Sequence, residues 1–262
     1  MRLMTLAAGV MVAGMVSGVW ADDGSAPAAC AGEKKCFDIE KSVTMDIYSA
    51  YVWRGLTLND GPVFQPSAKI EAGCGLGLNV WGNMDLNSYH GAYDKGEFSE
   101  VDINLYKKFE YKSFSFEAGY IEYLYPQLHE DNASRDAYGT VTYDIGAGFY
   151  TGVEYFYDFG EIKDYYADAL AGYEVACGKL TTTVEASAGY AGKAWAAAQV
   201  DEGGPVIEGG WYDCGCTLSL AYAVTESLDL GGTLAYAGSL DKDVLPDQDV
   251  HLYGGVNATY TF

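Results

Sequence analysis

The sequence predicts an all-β protein, a closed antiparallel transmembrane β-barrel of about 12 strands, and three patterns lead to that prediction. Apolar and polar residues alternate with period two along the segments that follow Ser42. The connections between these segments are alternately short and long, as in barrels with short periplasmic turns and long extracellular loops. Aromatic residues gather near both ends of the segments, where the two membrane interfaces favour them.

The first alternating segment shows how the pattern is interpreted. Val43, Met45 and Ile47 share one face of the predicted strand, whereas Thr44 and Asp46 share the other face. In an outer-membrane barrel the apolar face contacts lipid and the polar face lines the lumen. We therefore expect the polar set of each strand to point inward.

The lengths of the connections predict the strand number. Short turns are expected near residues 73–75, 110–113, 146–148, 176–179 and 225–227, and longer loops at residues 55–62, 87–99, 126–136, 160–164, 192–207 and 239–249. Five turns and six loops join twelve strands and leave both barrel ends in the periplasm. The expected aromatic girdle at the loop ends contains Tyr51, Trp53, Tyr120, Tyr155, Tyr157, Tyr190 and Tyr236, and the girdle at the turn ends contains Phe109, Phe114, Tyr143, Phe149, Tyr173 and Tyr222.

The chain ends carry two further signals. Arg2, an apolar stretch over residues 3–19 and Ala21 at the cleavage position are typical of a secretory signal peptide. The domains predicted are a signal peptide at residues 1–21, a periplasmic segment at 22–41 and an outer-membrane barrel at 42–262. We expect outer-membrane lipid and lipopolysaccharide as partners, and the barrel insertion machinery to recognise Phe262.

Charge and cysteine content narrow the function. A net charge of −22 argues against nucleic-acid binding, because phosphates are repelled. The six cysteines of an exported chain are free to form disulfides. Cys30 and Cys36 are the expected pair, because a short loop costs little closure entropy. The alternative is that Cys74 or Cys177, in the predicted periplasmic turns, captures one of these two cysteines.

The lumen-facing positions carry more acidic than basic side chains. This excess predicts a channel for passive diffusion of small solutes, with a preference for cations. The alternative is a non-conducting structural or interaction barrel that presents its surface loops and fills its interior with hydrated or paired charges. The residues expected to set selectivity are Asp46, Arg54, Lys69, Glu71, Asp102, Lys108, Glu117, Glu154, Asp168, Glu174 and Glu185.

Aromatic side chains are also expected in the lumen. They would stack on a flat or sugar-like solute, or pack inside a small barrel. These residues are Tyr48, Trp81, Tyr106, Tyr150 and Tyr253. An enzyme of this fold would need a lipid-facing pair of Ser and His residues, and the sequence shows no evident pair of this kind. No enzymatic activity, cofactor or metal site is therefore expected.

One motif resembles a known family. Tyr51, Val52, Trp53, Arg54 and Gly55 are followed by Asn59-Asp60, Pro62 and Gln65-Pro66. This motif is similar to the opening motif of the Gcw_chp, or TorF, family of bacterial outer-membrane porins. The resemblance implies the barrel fold and the outer-membrane location rather than an activity.

The motif also has a physical interpretation. We expect Tyr51 and Trp53 to anchor the first strand at the outer interface, with Arg54 facing the lumen at the outer rim. Gly55 would let the chain leave the strand. Pro66 is expected to mark a bulge or the rim, because proline cannot donate to both neighbouring strands.

Overall fold

The described part of the chain forms a closed antiparallel β-barrel. The computed structural model describes residues 37–89, 95–127, 134–199 and 208–262, and twelve of the strands in these ranges form the barrel. β1 pairs with both β4 and β14, so the sheet has no free edge. In chain order the elements are β1 (Ile39–Tyr48), β2 (Tyr51–Trp53), β3 (Leu56–Asn59), β4 (Val63–Ala72), β5 (Leu76–Asp85), β6 (Phe98–Tyr111), β7 (Phe114–Leu124), β8 (Ser134–Gly146), β9 (Phe149–Asp158), β10 (Tyr165–Cys177), β11 (Leu180–Ala191), α1 (Lys193–Ala198), β12 (Gly210–Ala223), β13 (Leu228–Ser239) and β14 (Leu252–Thr261).

The predicted rhythm of connections is confirmed. Five short connections, at residues 73–75, 112–113, 147–148, 178–179 and 224–227, lie at one end of the described barrel, which we call the turn end. The longer connections lie at the other end, which we call the loop end. Lys112 and Ala147 adopt positive φ values of 57° and 54°, in two of the tight turns.

The barrel is apolar outside and polar inside, as the alternation predicts. In β1 the side chains of Met45 and Ile47 are 55% and 49% exposed on the outside, whereas Thr44 is buried inside. Outward aromatic residues lie near both ends, and they include Tyr155, Tyr157, Tyr190 and Tyr236 at the loop end and Phe109, Phe114, Tyr143, Phe149, Tyr173 and Tyr222 at the turn end. In the ranges that the structure describes, no helix has the length and apolar character needed to cross a membrane.

The first strand ends earlier than the sequence predicts. β1 stops at Tyr48, and the chain then forms the β2–β3 hairpin, which lies inside the barrel. Tyr51 and Trp53 are only 2% and 3% exposed, so the prediction that they anchor at the outer interface is wrong. All three residues of β2 are buried because interior groups cover both of its faces. Alternation alone does not distinguish burial inside a barrel from contact with lipid.

The prediction for Pro66 is also wrong. Pro66 lies within β4, opposite Met45 of β1, and the β1–β4 register passes it without a shift. On the other side, the recorded β4–β5 pairing stops at Phe64 and resumes at Ser67. The missing N–H of Pro66 is therefore accommodated by a local gap in the β4–β5 hydrogen-bond ladder. Pro66 lies neither in a bulge nor at the rim.

The cysteines of the described ranges fall into two groups. Cys177, Cys214 and Cys216 are free, whereas Cys74, in the turn between β4 and β5, is disulfide-bonded. Cys30 and Cys36 lie outside the described residues, so their pairing with each other stays a prediction. The bond at Cys74 favours the alternative in which a turn cysteine captures one of them.

Candidate functional site

The β2–β3 hairpin, which we call the plug hairpin (residues 51–59), turns on two residues with positive φ. Arg54 has φ 45° and Gly55 has φ 78°, the combination of a two-residue type I′ turn. Glycine adopts this conformation freely, whereas a left-handed arginine costs about 1 kcal/mol. A Cβ added at Gly55 would lie 2.6 Å from Cβ of Asp213 on β12, so the turn presses directly against the wall. The strained backbone at Arg54 is offset by the contacts of its side chain.

The plug hairpin begins on one side of the barrel. Tyr51 donates a hydrogen bond of 2.8 Å from its hydroxyl to Oε2 of Glu100 on β6. Asn59 Nδ2 donates one of 2.7 Å to Oδ1 of Asp85 on β5. Trp81 of β5 packs against Tyr51 with ring centroids 5.8 Å apart. Both strands of the hairpin are therefore attached to the β5–β6 wall.

The tip of the plug hairpin reaches the opposite wall. The Arg54 guanidinium carbon lies 4.1 Å from the ring centroid of Phe156 on β9 and 4.2 Å from that of Tyr166 on β10. In the closed ring, β5 to β8 separate this wall from β4 on one side, and β11 to β14 separate it from β1 on the other. The plug hairpin therefore crosses the whole lumen.

Arg54 sits in an aromatic box. Besides the rings of Phe156 and Tyr166, its guanidinium lies 4.5 Å from the ring of Trp53 and 5.4 Å from that of Trp195 in α1. The ring of Trp195 in turn contacts Tyr166 at 5.0 Å. Each such cation–π contact contributes about 0.5 to 2 kcal/mol, depending on how dry the site is. Together they can offset the strained turn.

Acidic groups of the wall surround the box. Asp136, Glu154, Asp168 and Asp213, on four different strands, lie close enough to Arg54 to interact with it electrostatically. Even so, Nη1 of Arg54 is buried and has no hydrogen-bond partner among the described residues. The guanidinium is thus held by ring faces and by the surrounding field more than by a bidentate ion pair.

Loop-end segments complete the closure around the plug hairpin. Thr57 donates its backbone N–H to Oε1 of Gln248 at 2.9 Å, and its hydroxyl accepts from the backbone N–H of Val250 at 3.1 Å. Leu245, in the same β13–β14 connection, is fully buried, as is the indole of Trp195. The loop-end half of the lumen is therefore filled by side chains.

The contact between the plug hairpin and the wall is strongly polar. Glu100 and Asp102 are each 1% exposed. The two carboxyl groups are hydrogen-bonded to each other, which leaves at least one buried oxygen of Asp102 without a partner in the described part of the chain. Buried polar atoms without partners are costly, so this interface differs from a well-satisfied core.

The turn-end half of the lumen carries tyrosine–glutamate pairs. The three hydroxyls donate to carboxylates across the inner surface at 2.5 to 2.8 Å. The pairs are Tyr106 with Glu71, Tyr138 with Glu117, and Tyr150 with Glu185. Because each carboxylate keeps a second oxygen and remains partly exposed, these pairs leave acidic groups facing the open part of the lumen.

Lys108 partly compensates this acidity. Its ammonium lies 3.6 Å from Glu71 Oε2 and 3.4 Å from Glu117 Oε2, and 4.8 Å from the ring centroid of Tyr106. One lysine therefore bridges two of the tyrosine–glutamate pairs. The Glu185 pair, on the other side of the barrel, has no such cation within ion-pair distance among the described residues.

The structure divides the predicted selectivity residues into groups. Lys69, Glu71, Lys108, Glu117, Glu174 and Glu185 lie inside the turn-end half, as predicted from parity. Glu154 and Asp168 lie between the halves, since both interact with Arg54 and with Glu185. Asp46 faces inward from β1 and is partly exposed. Asp102 is sealed beneath the plug hairpin, and Arg54 belongs to that hairpin rather than to the rim.

The predicted stacking residues are not brought together into one site. Tyr106 and Tyr150 are hydrogen-bonded to glutamates, and Trp81 packs on the plug hairpin. Tyr253 is buried in a small cluster that contains Val52, and Tyr48 packs against the same cluster. Glu100 and Trp195 also belong to the site, and the sequence did not predict them. Trp195 lies in an alanine-rich stretch, which favours the short helix α1.

Comparisons with known proteins support the fold. No protein-family model and no curated protein matches the sequence. A KdgM porin superposes with a TM-score of 0.54 at 12% identity, covering 84% of this chain and 99% of that one. An outer membrane channel from Pseudomonas putida F1 gives 0.51 at 9% identity, with 89% and 100% covered. A NanC porin gives 0.50 at 11% identity, with 84% and 98% covered. Likeness at these identities concerns the architecture alone.

Proposed function

We propose that the protein is an outer-membrane channel through which small solutes diffuse passively, with a preference for cations. The observation that carries the proposal is a closed barrel with an apolar outer surface and an inner surface lined by carboxylates. Of the eleven residues predicted to set selectivity, eight are acidic and three are basic. A lumen of one charge sign concentrates counter-ions and excludes co-ions.

The charge of the lumen bears on the class of solute. One structural neighbour is a KdgM porin in complex with disordered oligogalacturonate, which is a polyanion. In the turn-end lumen of this chain Lys108 is paired with two glutamates, and Glu174 and Glu185 are further acidic groups there, with Lys69 as the other basic group. An excess of carboxylates repels polyanions, so we propose that the solutes of this channel differ in charge from that ligand.

The outer-membrane location is part of the proposal. The resemblance to the Gcw_chp or TorF family supports it, as do the two outward aromatic girdles. Lipid and lipopolysaccharide would then surround the barrel. Accessibility of the 239–249 loop to a membrane-impermeant reagent on intact cells tests the location.

The selectivity test uses purified protein in a planar bilayer. Across a salt gradient, the reversal potential should indicate cation preference, and Glu154→Gln/Glu185→Gln should reduce it, because both carboxylates face the lumen. Glu226→Gln is the matched control, since Glu226 is exposed in the turn between β12 and β13. Anion preference, or a double variant that behaves like the control, would contradict the proposal.

A second function is favoured by the plug hairpin. Because side chains fill the loop-end half of the lumen, the barrel could instead serve as a non-conducting structural or interaction protein. The same bilayer experiment separates the two functions. A barrel that never conducts, even with the plug hairpin removed, supports the structural role.

A further inference from the structure

We propose that Arg54 is a built-in ligand: it occupies a cation-binding aromatic box on the β9–β10 wall, and a free guanidinium-bearing solute that takes its place releases the plug hairpin. This inference rests on the proposed channel function. It assigns to that channel both a gate and the chemical class of the solute that opens it.

The box can exist without the plug hairpin. Phe156, Tyr166 and Trp195 belong to β9, β10 and α1, and their rings lie within 5.4 Å of the guanidinium carbon of Arg54. Tyr212 on β12 supports Trp195 with an edge-on contact at 5.2 Å. Only Trp53 leaves with the hairpin. The remaining rings offer flat faces at the distance that suits a planar cation.

The charge around the box favours a cation. Asp136, Glu154, Asp168 and Asp213 approach it from β8, β9, β10 and β12, and Arg54 is the cation they share. Four carboxyl groups lie around one guanidinium, so acidic groups outnumber basic groups at the site even while it is occupied. An incoming guanidinium would therefore be attracted to the same position from the lumen.

Arg54 itself fills the box imperfectly. Its backbone is held at φ 45° by the tight turn, and its Nη1 has no hydrogen-bond partner among the described residues. A free solute carries the same planar cation without the strained turn, and it can rotate until its N–H groups reach the carboxylates. A free guanidinium thus competes for the box at millimolar concentration, although Arg54 has the advantage of being tethered.

Two features of the wall lower the cost of releasing the plug hairpin. Glu100 and Asp102, beneath it, are buried carboxyl groups bonded to Tyr51 and to each other, and not all of their oxygen atoms have a partner among the described residues. Water would satisfy these atoms if the hairpin left, which lowers the cost of opening. The barrel does not depend on the hairpin for closure, because Tyr48 of β1 pairs directly with Val63 of β4.

The test compares arginine with citrulline in single-channel recordings of the full-length mature protein. The two amino acids have similar size and shape, but citrulline carries a neutral ureido group where arginine carries the guanidinium cation. Millimolar arginine should raise the open probability about tenfold, the ratio that corresponds to about 1.4 kcal/mol, and citrulline should not. Equal effects of the two solutes, or no effect of arginine, would overturn the proposal.

Variants of Arg54 provide the second arm. Arg54→Ala should be open without arginine, with an open probability about tenfold above that of the unmodified protein, and Arg54→Lys should lie between the two. Lys112→Ala is the matched control, because Lys112 also combines a positive φ of 57° with a ring contact, 5.2 Å from Tyr111, but lies in a turn-end connection. An Arg54→Ala channel that opens no more often than this control would contradict the proposal that Arg54 holds the plug hairpin closed.

A binding measurement separates this inference from the channel function. In detergent, Arg54→Ala should bind arginine in the vacated box and change the fluorescence of Trp195, whereas citrulline should leave the fluorescence unchanged. Replacing Trp195 with Phe in the same background should remove the signal. Absence of binding refutes the box, whatever the bilayer shows. Specific binding by a protein that never conducts, even without the plug hairpin, refutes the channel function and the gate instead.

Discussion

Three lumen tyrosines lie across glycines of the neighbouring strand. A Cβ added at Gly77 would fall 2.1 Å from Cζ of Tyr106, and one added at Gly172 would fall 2.2 Å from Cζ of Tyr150. Gly119 has the same relation to Tyr138. Each ring therefore needs a residue without a side chain beneath it in order to lie flat and reach its glutamate. This requirement accounts for part of the glycine content of the strands.

Gly172→Ala tests this packing. We expect the added methyl group to displace the Tyr150 ring, break its hydrogen bond to Glu185 and lower the free energy of unfolding by about 1 to 3 kcal/mol. Gly139→Ala is the control, because a Cβ at Gly139 meets only the Glu117 carbonyl, at 3.8 Å. Guanidinium denaturation in detergent micelles measures both. Equal stability of the two variants would show that the ring has room to move.

Residue parity predicted which side chains point inward, but not which of them meet. Glu71 and Lys108 are correctly assigned to the lumen from alternation in β4 and β6. Their contact also depends on the register across β5, since Gly77 pairs with both Glu71 and Tyr106. Alternation within one strand carries no information about the register of its neighbours.

Among the elements, the plug hairpin is the main departure from the sequence prediction. The apolar alternation continues past Tyr48 to Trp53, so the sequence predicts a longer first strand than the structure contains. β1 instead ends at Tyr48, before a bend at Ser49 and Ala50, and the hairpin that follows turns at Arg54 and Gly55; arginine is not a residue that signals a type I′ turn. The twelve barrel strands can be predicted from alternation and from the lengths of their connections. The conformation of the plug hairpin depends instead on its contacts with the barrel wall, which a local sequence pattern does not reveal.

The turn between β4 and β5 leads to a prediction about disulfides. Cys74 is bonded while Cys177, Cys214 and Cys216 are free, so we expect its partner to be Cys30 or Cys36. Non-reduced peptide mapping after alkylation should then find Cys74 joined to a peptide from residues 22–41. A Cys30–Cys36 peptide together with alkylated Cys74 would contradict this and restore the pairing expected from loop length.

At the scale of the whole molecule, the lumen has two unlike halves. The loop-end half is filled by the plug hairpin, α1 and the connection that contains Leu245. The turn-end half keeps partly exposed charged groups, including Lys108 and Glu185. A continuous path through the barrel therefore requires at least that the plug hairpin move, while the wall is complete without it. Conduction and folding should be separable for this reason.

Removing the plug hairpin tests that separation. Tyr48 and Val63 are register partners, so replacing residues 49–62 with Asn-Gly creates a two-residue hairpin between adjacent antiparallel strands. We expect the variant to fold, with the β-sheet circular dichroism of the full chain and the same heat-dependent shift on electrophoresis, because the ten register pairs of β1 with β4 are retained. Its thermal midpoint should fall, since the aromatic contacts of Trp53 and Tyr51 are lost. Arg54→Ala, which keeps the hairpin in the chain, controls for loss of the box alone. A variant that aggregates under conditions in which Arg54→Ala folds would show that the plug hairpin is part of the folding core, and that the wall alone does not specify the barrel.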